Sequence, residues 1–521
     1  MALSPEMTVN DPSESSKSPS PTRPAHVLTE IELERLGRQR PDIFRTWWAE
    51  FGFCIAILGS MLSAEYFISG FTIILPTLST VLDIPLESRT WPANVFSLVT
   101  GAFLLPFARL AEMYGAYIVF TAGLVWLCVW SLVAGFSQNF LMLTFCRALQ
   151  GFGPAAFLPA GIMLLGSIYR PGPRKNLVFC LYGTFSPLGF FFGIFIGGLS
   201  GDHIQWSWYF WIAAILLALF SVVALLYVPA GRLDQRSEPV KMDWLGMATI
   251  VPGLLLVVFA ITDSSHAPRG WSTPYIYVTL IVGVLFLGAA FYVEGWISEA
   301  PLLPFELFQI KAMKPLIAAL FLTYGVFGIY LFYASFYIMD VVGVSALRTT
   351  AWFAPMAVGG LVLATVGGFT LHLLSGKVLL VASGIGYVVS VLLFALIPDR
   401  FSYWAYVFPA MLGSTLGVDV TYSVSNVFIT TSLPKHQQGL AGAVVWVVIF
   451  LGIGFFLGVA DIVVSCTAHL GVKQSYKAAF WFGTGCAGLA LLMFVALVDV
   501  GQAKSALTAD EKKELEARLE G

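Results

Sequence analysis

Fourteen apolar stretches, each of about 20 residues or more, follow one another along this chain of 521 residues. In a bilayer every backbone polar group has to be hydrogen-bonded within the protein, so stretches of this length are typical of membrane-spanning α-helices. Only 11% of the residues are charged, against about 25% in a soluble domain. The stretches lie near residues 48–76, 91–110, 117–136, 140–168, 177–199, 207–228, 244–261, 275–297, 313–339, 350–370, 376–397, 401–430, 438–464 and 478–499. The sequence thus predicts an all-α membrane protein with fourteen transmembrane helices.

The two ends of the chain differ from its apolar middle. Residues 1–45 are rich in serine, proline and charge and are predicted to form a disordered tail, and residues 501–521 form a second polar tail. An even number of spans puts both ends on one side of the membrane. The loops on that side carry eleven Lys and Arg residues, against six on the other side. This excess predicts that both termini are cytosolic. The protein is expected in the plasma membrane, with the vacuolar membrane as the alternative.

Composition argues against several other classes of protein. A net charge of −2 predicts no nucleic-acid partner, and the six cysteines lie apart in apolar stretches, as small buried residues do. The histidines do not cluster with cysteines or carboxylates, so no metal site is expected. The chain lacks a phosphate-binding GxxxxGK[ST] motif, which disfavours ATP-driven transport. We therefore predict neither an enzyme nor a bound cofactor.

One arginine lies inside the fourth apolar stretch. Arg147, in the segment LTFCRALQGFGPAA, follows the start of that stretch by about seven residues, or roughly 10 Å along a helix. An unpaired arginine in lipid costs several kcal/mol, so it should face the protein interior and a carboxylate. Glu65, in the first stretch, is at a similar depth and is the predicted partner. The alternative is that this ion pair serves packing alone, since buried pairs often add little net stability.

A second buried acid is expected in the twelfth stretch. Asp419, in STLGVDVTYSVSNVF, falls near the middle of the membrane. An ionisable group there is a functional candidate by default, so we predict that it takes part in proton coupling or substrate contact, with a structural hydrogen bond as the alternative. Polar and aromatic side chains at similar depth are predicted to line a substrate cavity with it. They are Asn94, Tyr182, Tyr324, Tyr422 and Asn426.

Two glycine-containing segments combine with these acids into a recognisable pattern. LTFCRALQGFGPAA resembles the fourth-helix motif of the major facilitator superfamily, and GIFIGGL resembles the antiporter motif of its fifth helix. The marked positions are Arg147, Gln150 and Gly151 in the first and Gly193, Gly197 and Gly198 in the second. Small residues at such intervals let membrane helices pack closely. The resemblance implies that these residues control the change of conformation during transport.

A third segment, GAFLLPFARLAEMYGAY, resembles the loop motif between helices two and three of the same superfamily. The matching residues are Gly101, Arg109, Leu110 and Gly115, with Glu112 in the position of the usual aspartate. The segments WSWYFWI, MDWLGM, PLLPFELF and SALRTTAWFAPMAVGG resemble those of the fourteen-helix drug:proton antiporters. YRPGPRKN and NVFITTSLPKHQQGLAGAVV resemble fungal members near the aminotriazole-resistance type.

This resemblance implies a domain organisation. A six-helix bundle at residues 46–230 and a second at 301–500 would be joined by a linker at 231–300 that carries two inserted transmembrane helices. Substrates of such transporters bind between the two halves near the middle of the membrane.

Three functions are compatible with the sequence. The first is a secondary active transporter, a proton-coupled exporter of an organic compound such as a drug, toxin or secondary metabolite. The second is uptake of a small ion or nutrient, such as ammonium. The third is a membrane sensor that uses the same scaffold without transport. The expected partners are a small-molecule substrate, protons and the lipid bilayer, and the protein is expected to be a monomer.

Overall fold

A computed structural model describes residues 38–85, 88–169, 173–230, 241–303, 305–370, 374–432 and 438–501. Within these ranges the chain forms fourteen long α-helices and no β-strand. In chain order they are α1 (Trp47–Val81), α2 (Trp91–Tyr114), α3 (Ala116–Ala134), α4 (Phe140–Ile168), α5 (Pro173–Asp202), α6 (Ser207–Tyr227), α7 (Trp244–Asp263), α8 (Pro274–Tyr292), α9 (Met313–Phe336), α10 (Ala346–Thr370), α11 (Gly376–Leu396), α12 (Tyr403–Ser432), α13 (Gln438–Cys466) and α14 (Val472–Ala496). The predicted all-α fold is confirmed. The two predicted tails lie almost wholly outside the described residues, as does the start of the predicted linker.

The described helices have the composition that a membrane requires. Thirteen of them are long and apolar enough to cross a bilayer; the remaining one, α12, is dense in polar residues, among them Asp419 and Asn426. Large apolar side chains such as Leu141, Leu226 and Leu285 are exposed on the outer surface. Extended apolar surface of this kind is stable where lipid covers it, as in a protein that crosses the membrane several times.

Polar residues mark several helix ends. Side-chain oxygens of Thr46, Asn139 and Asp243 each accept a hydrogen bond from the backbone N–H three residues later, at 3.2, 2.9 and 2.7 Å. These bonds satisfy donors that the first turn of a helix leaves free. Between α2 and α3 the chain turns at Gly115, whose φ of 102° is accessible mainly to glycine.

The helices pack as two groups of six with one additional pair. In the first group α1 packs along α5 and α6, α2 along α4, and α3 against α4 and α6. In the second group α9 packs against α13 and α14, α11 against α12 and α14, and α10 against α12. The groups meet through α5 with α10 and through α2 with α13. Helices α7 and α8 pack on each other, and α7 also contacts α2 and α13.

The helix assembly has two opposite ends. We call the end that contains Trp47, where α1 begins, the N-terminal face. The opposite end, where α1 finishes and α2 begins, is called the far face. Contacts between the two groups are well developed at the far face. Asp202, at the end of α5, accepts hydrogen bonds from the backbone N–H groups of Ala346 and Leu347 at 3.1 and 2.8 Å, and Arg89 pairs with Asp340 at 2.7 Å.

The glycines of the fifth helix make close contacts possible. A Cβ at Gly193 would lie 2.7 Å from the carbonyl oxygen of Tyr66, and one at Gly197 would lie 2.6 Å from that of Gly70. Both distances are shorter than van der Waals contact, so α5 approaches α1 backbone to backbone. Gly198 faces the other way, toward the Ala346 carbonyl of α10. The predicted motif therefore lies where α5 touches both groups.

Gly197→Val will lower the thermal unfolding midpoint of the purified protein, because the new side chain has to push α5 away from α1. Overpacking of this kind costs about 1–3 kcal/mol. The matched control is Gly183→Val in the same helix, where an added Cβ meets nothing within 4 Å. Equal unfolding midpoints for the two variants in detergent would contradict the close α1–α5 contact.

Candidate functional site

Arg147 is completely enclosed, with 1% of its surface exposed. Its guanidinium donates to three acceptors: Nε to the Pro92 carbonyl at 3.1 Å, Nη1 to Oε1 of Gln150 at 3.1 Å, and Nη2 to the Phe67 carbonyl at 3.2 Å. Gln150 is held in turn, because its amide nitrogen donates to Ser131 at 3.2 Å. Arg147 thus joins α4 to α1 and α2 through their backbones.

Two aromatic rings complete the surroundings of this cation. The guanidinium carbon lies 4.0 Å from the ring centre of Phe71 and 4.2 Å from that of Phe96. Aromatic faces attract a cation, more strongly when water is excluded. Among the residues that the structure describes, no carboxylate lies within salt-bridge distance of Arg147. In this conformation Glu65 and Arg147 therefore do not form the predicted ion pair.

The reason lies in the direction of side chains around α1. Successive residues of an α-helix are rotated by about 100°, so Glu65 and Phe71 point away from α1 on different sides. The side of Phe71 faces Arg147, whereas Glu65 faces α5, where its Oε1 accepts a hydrogen bond from Ser186 at 3.1 Å. Matching depth in the membrane was not sufficient for a contact.

Glu65 instead lies near the other predicted acid. Asp419 is within electrostatic range of Glu65. Its carboxylate lies next to Gly360 of α10, where an added Cβ would be 2.9 Å from the Asp419 oxygen and equally 2.9 Å from Pro187. Since Ser186 and Pro187 are neighbours on α5, the two acids approach the same short segment from opposite groups of helices. Both side chains are partly exposed although the surrounding helices are packed.

Three predicted aromatic residues lie around the two acids. Tyr182, Tyr324 and Tyr422 are each within electrostatic range of Glu65. The hydroxyls of Tyr182 and Tyr324 are buried and have no hydrogen-bond partner among the described residues. Because a buried hydroxyl without a partner is costly, these groups are suited to bind water or a ligand. All three tyrosines therefore lie near the acids, and their part in a substrate cavity stays a prediction.

The remaining predicted cavity residues behave differently. Asn426 is partly exposed and is seven residues beyond Asp419 on α12, so the two share one face of that helix. Asn94 does not reach the acids. It is 1% exposed and its amide nitrogen donates to Thr262 of α7 at 2.7 Å. The assignment of Asn94 to the cavity is therefore corrected: position 94 of α2 faces the inserted helix.

Sequence reasoning missed several residues at this site. Ser186 binds Glu65, Gly360 leaves room for Asp419, and Trp446 packs on Tyr422 with ring centres 5.5 Å apart. The serine directly before a proline inside α5 was a usable signal, because proline loosens the backbone of a membrane helix. The other two contacts depend on how α10, α12 and α13 are rotated.

A mostly apolar cavity lies above these acids, between the two groups on the far side. The cavity is small, with a volume of about 30 Å³. The residues that line it include Phe71, Phe96, Ser97, Arg147, Phe327 and Phe332. The guanidinium of Arg147 therefore borders a space between the two groups, and neither Glu65 nor Asp419 lines that space.

The loop motif forms a bridge at the N-terminal face. Arg109 pairs with Glu112 at 3.0 Å, and its other nitrogen donates to the carbonyls of Ala300 and Pro301 at 3.1 and 2.7 Å. Those carbonyls belong to the segment between α8 and α9. Arg109 thus ties the end of α2 to the connection that leads into the second group.

Two further glycines of the motifs lie at helix contacts. A Cβ at Gly101 would be 2.9 Å from Leu451 of α13, and one at Gly151 would be 2.8 Å from the Phe96 carbonyl of α2. Within the described part of the chain, no group of three or more His, Cys, Asp or Glu residues is arranged to hold a metal ion.

Two helical bundles that enclose a polar site between them define a membrane transporter. The chain belongs to the Major Facilitator Superfamily, whose family model matches residues 51–459. The efflux pump terJ of Aspergillus terreus is 32% identical over 86% of this chain and 88% of its own length. The low affinity ammonium transporter of Saccharomyces cerevisiae is 32% identical over 78% of this chain and 79% of its own. The aminotriazole resistance protein of the same yeast is 29% identical over 87% and 85%.

Solved structures agree on the fold. A peptide transporter POT in complex with sulfate superposes with a TM-score of 0.64 at 15% identity, covering 89% of this chain and 97% of that one. The human organic anion transporter MFSD10 (TETRAN) gives a TM-score of 0.59 at 14% identity, covering 86% and 99%. These structures confirm the predicted fold, and the family model confirms the predicted family.

Proposed function

We propose that this transporter exports an organic compound in exchange for protons, by alternating access, and that Glu65 and Asp419 bind the coupling protons. The observation that carries the proposal is that two carboxylates from opposite bundles approach the same segment of α5. Among the described residues, neither carboxylate has a cationic partner within salt-bridge distance. A carboxylate that is largely removed from water and has no cation beside it is costly when ionised, so it gains stability from a proton or from a positively charged ligand.

This chemistry favours a substrate that competes with protons. An amphipathic organic cation could place its charge between Glu65 and Asp419 and its apolar body against Tyr182, Tyr324 and Tyr422. Aromatic faces attract cations, and two acids in one site add to that attraction. Proton binding at the acids would release such a substrate, and substrate binding would release protons. The named efflux pumps among the relatives support export.

The location of the acids also supports coupling to movement. Ser186 and Pro187 of α5 lie at the contact with α10, where the two bundles must separate during alternating access. Protonation of Glu65 weakens its ability to accept from Ser186, and protonation of Asp419 alters its fit beside Gly360. A ligand moves a two-state equilibrium only by interacting differently with the two states, and both acids meet this condition.

The orientation proposed for the chain follows the distribution of Lys and Arg. The N-terminal face is then cytosolic, and the far face, with its closed contacts at Asp202 and Arg89, is extracellular in a plasma-membrane protein. Substrate would enter from the cytosol in this conformation. The protein would work as a monomer, because the two bundles of one chain already contain both carboxylates of the proposed site.

Uptake of ammonium is a second candidate, favoured by the 32% identity to the low affinity ammonium transporter. Ammonium is also a cation that a pair of carboxylates can bind. It has no apolar body, however, and would make no use of the three tyrosines. Competition by methylammonium, tested beside fluorescent organic cations such as ethidium, separates the two candidates.

Efflux will collapse when the proton gradient is removed. Cells that express the protein are loaded with a panel of organic cations and then treated with a protonophore, while cellular ATP is held constant and measured. We expect the efflux of any compound that the protein exports to fall to the rate of cells without it. Efflux that continues unchanged at constant ATP and without a gradient would exclude the antiporter.

A further inference from the structure

A buried histidine–aspartate pair lies at the far face, apart from Glu65 and Asp419. Asp461 of α13 is 7% exposed, and its Oδ2 lies 3.4 Å from Nε2 of His266, which follows α7. The same oxygen accepts hydrogen bonds from the hydroxyls of Ser265 at 2.7 Å and Thr90 at 3.1 Å. In the sequence Asp461 falls near the outer end of the thirteenth apolar stretch, a position that predicts a solvated helix end; the structure shows that it is buried instead.

The hydrogen bonds of His266 determine where its proton is. Nδ1 lies 2.8 Å from the carbonyl oxygen of Thr262. A carbonyl can only accept, so Nδ1 carries a hydrogen. In the neutral imidazole Nε2 then has a lone pair, and this lone pair faces the Asp461 carboxylate. The contact is favourable only when one additional proton is present, either on Nε2 or on the carboxyl group.

We propose that His266 and Asp461 form a proton-binding site, and that its proton holds the far face closed. The site joins three parts of the molecule. Thr90 begins α2 of the first bundle, Ser265 and His266 belong to the inserted pair, and Asp461 belongs to the second bundle. Without the proton, two lone pairs oppose each other across this junction, and the junction weakens. The proposal does not depend on whether Glu65 and Asp419 carry the coupling protons.

Close packing keeps the pair in place. Gly458 of α13 leaves room for α7, since an added Cβ there would be 2.7 Å from the hydroxyl of Thr262. The imidazole of His266 also lies against Trp91, with ring centres 6.4 Å apart. The inserted helices are thus positioned to transmit the protonation of His266 to both bundles.

The other titratable groups near Asp461 cannot replace His266. Tyr333 of α9 and Tyr476 of α14 lie within electrostatic range of it, but a tyrosine is ordinarily neutral below about pH 10. Beyond Tyr476 lies Arg89, which is already paired with Asp340. Asp263 of α7 points elsewhere and accepts a hydrogen bond from Tyr275 at 2.7 Å. Among the described neighbours, His266 is the group whose ordinary pKa, about 6.5, lies near neutral pH.

The sign of the pH effect follows from this arrangement. The protonated pair favours the closed far face, so opening becomes easier as the pH rises through the titration of the site. In an exporter that meets an acidic exterior, a proton that enters from outside would close the far face behind it. The inserted helices would then hold the two bundles together at the far face when the site is protonated.

Accessibility of the far cavity tests this without any substrate. Ser97 lines that cavity, so S97C reports its opening when a maleimide is added to the protein in nanodiscs between about pH 5 and pH 8, where a histidine changes charge. Mass spectrometry of the peptide that contains position 97 distinguishes this thiol from the natural cysteines. At each pH the labelling rate of S97C is divided by the labelling rate of the double variant S97C/H266Q. This ratio cancels the pH dependence of the reaction between thiol and maleimide. In H266Q the amide donates to Asp461 at every pH.

We expect this ratio to rise about fivefold from the acidic to the alkaline end, the lower limit of typical coupling between sites. In D461N the contact is favourable at every pH, because an amide can donate to the neutral imidazole or accept from the protonated one. The S97C ratio between D461N and H266Q should therefore stay flat. If H266Q does not fold, D461N replaces it as the reference. The control is T80C, at the exposed end of α1. The ratio of its labelling rate to that of T80C/H266Q should not change with pH. A flat ratio at S97C, or an equal rise at T80C, would overturn the proposal.

Discussion

Transport driven by a pH gradient will fall to background in Asp419→Asn, and Glu65→Gln will have a similar effect. Each substitution keeps the approximate shape of the side chain but prevents the exchange of a proton. Because an amide fits beside Gly360 and Pro187 much as the carboxylate does, the loss of transport reports the loss of a titratable group. Uptake of the exported compound into inside-out vesicles with an imposed gradient is the measurement.

A matched control separates proton coupling from a general loss of acidic residues. Asp263→Asn removes a carboxylate that binds Tyr275 at the end of α7 and should leave gradient-driven transport at the wild-type rate. Expression and thermal unfolding of all three variants are compared first. Wild-type pH dependence in both Asp419→Asn and Glu65→Gln would show that these acids are structural.

Arg147→Ala will be the most damaging single substitution to the fold. It removes three hydrogen bonds made by a charged group and leaves the Pro92 and Phe67 carbonyls without that donor. Hydrogen bonds to charged groups contribute about 1.5–3 kcal/mol each, and these effects do not add fully in one network. We expect a large loss of folded protein in the membrane, measured by fluorescence-detected size-exclusion chromatography. Arg147→Lys should be intermediate, because an ammonium group cannot reproduce the planar fork.

The double variant Glu65→Gln/Arg147→Ala tests the corrected geometry. If the two residues formed an ion pair, removal of Glu65 would relieve the unpaired carboxylate that Arg147→Ala leaves behind. The structure pairs Arg147 with carbonyls and aromatic rings instead, so we expect no rescue. A yield of folded protein clearly above that of Arg147→Ala alone would show that Glu65 and Arg147 form an ion pair.

The positions of helices followed from the sequence more directly than did the contacts between them. Apolar length fixed each span, because a bilayer permits few other backbone structures. Depth along the twelfth stretch placed Asp419 and Tyr422 near the middle of the membrane, and both lie within electrostatic range of Glu65. In this conformation Glu65 binds Ser186 rather than the predicted Arg147, because depth can be counted along a helix, whereas the rotation of the helix depends on packing.

The inserted helices explain the other errors. Nothing in the sequence indicated that α7 packs between α2 and α13, and this position decides the contacts of Asn94 and Asp461. Asn94 was therefore expected in the cavity and Asp461 in solvent. In the structure both are buried against α7, where Asn94 binds Thr262 and Asp461 binds Ser265.

Proton movement that accompanies substrate is the most direct test of the proposed exchange. Purified protein is reconstituted in liposomes with a pH-sensitive dye inside, and each compound of the panel is added outside without an imposed gradient. For a transported compound we predict a change of internal pH that depends on its concentration, that persists in Asp263→Asn and that is absent in Asp419→Asn. Transport of the compound without any change of internal pH in the wild-type protein would contradict proton coupling.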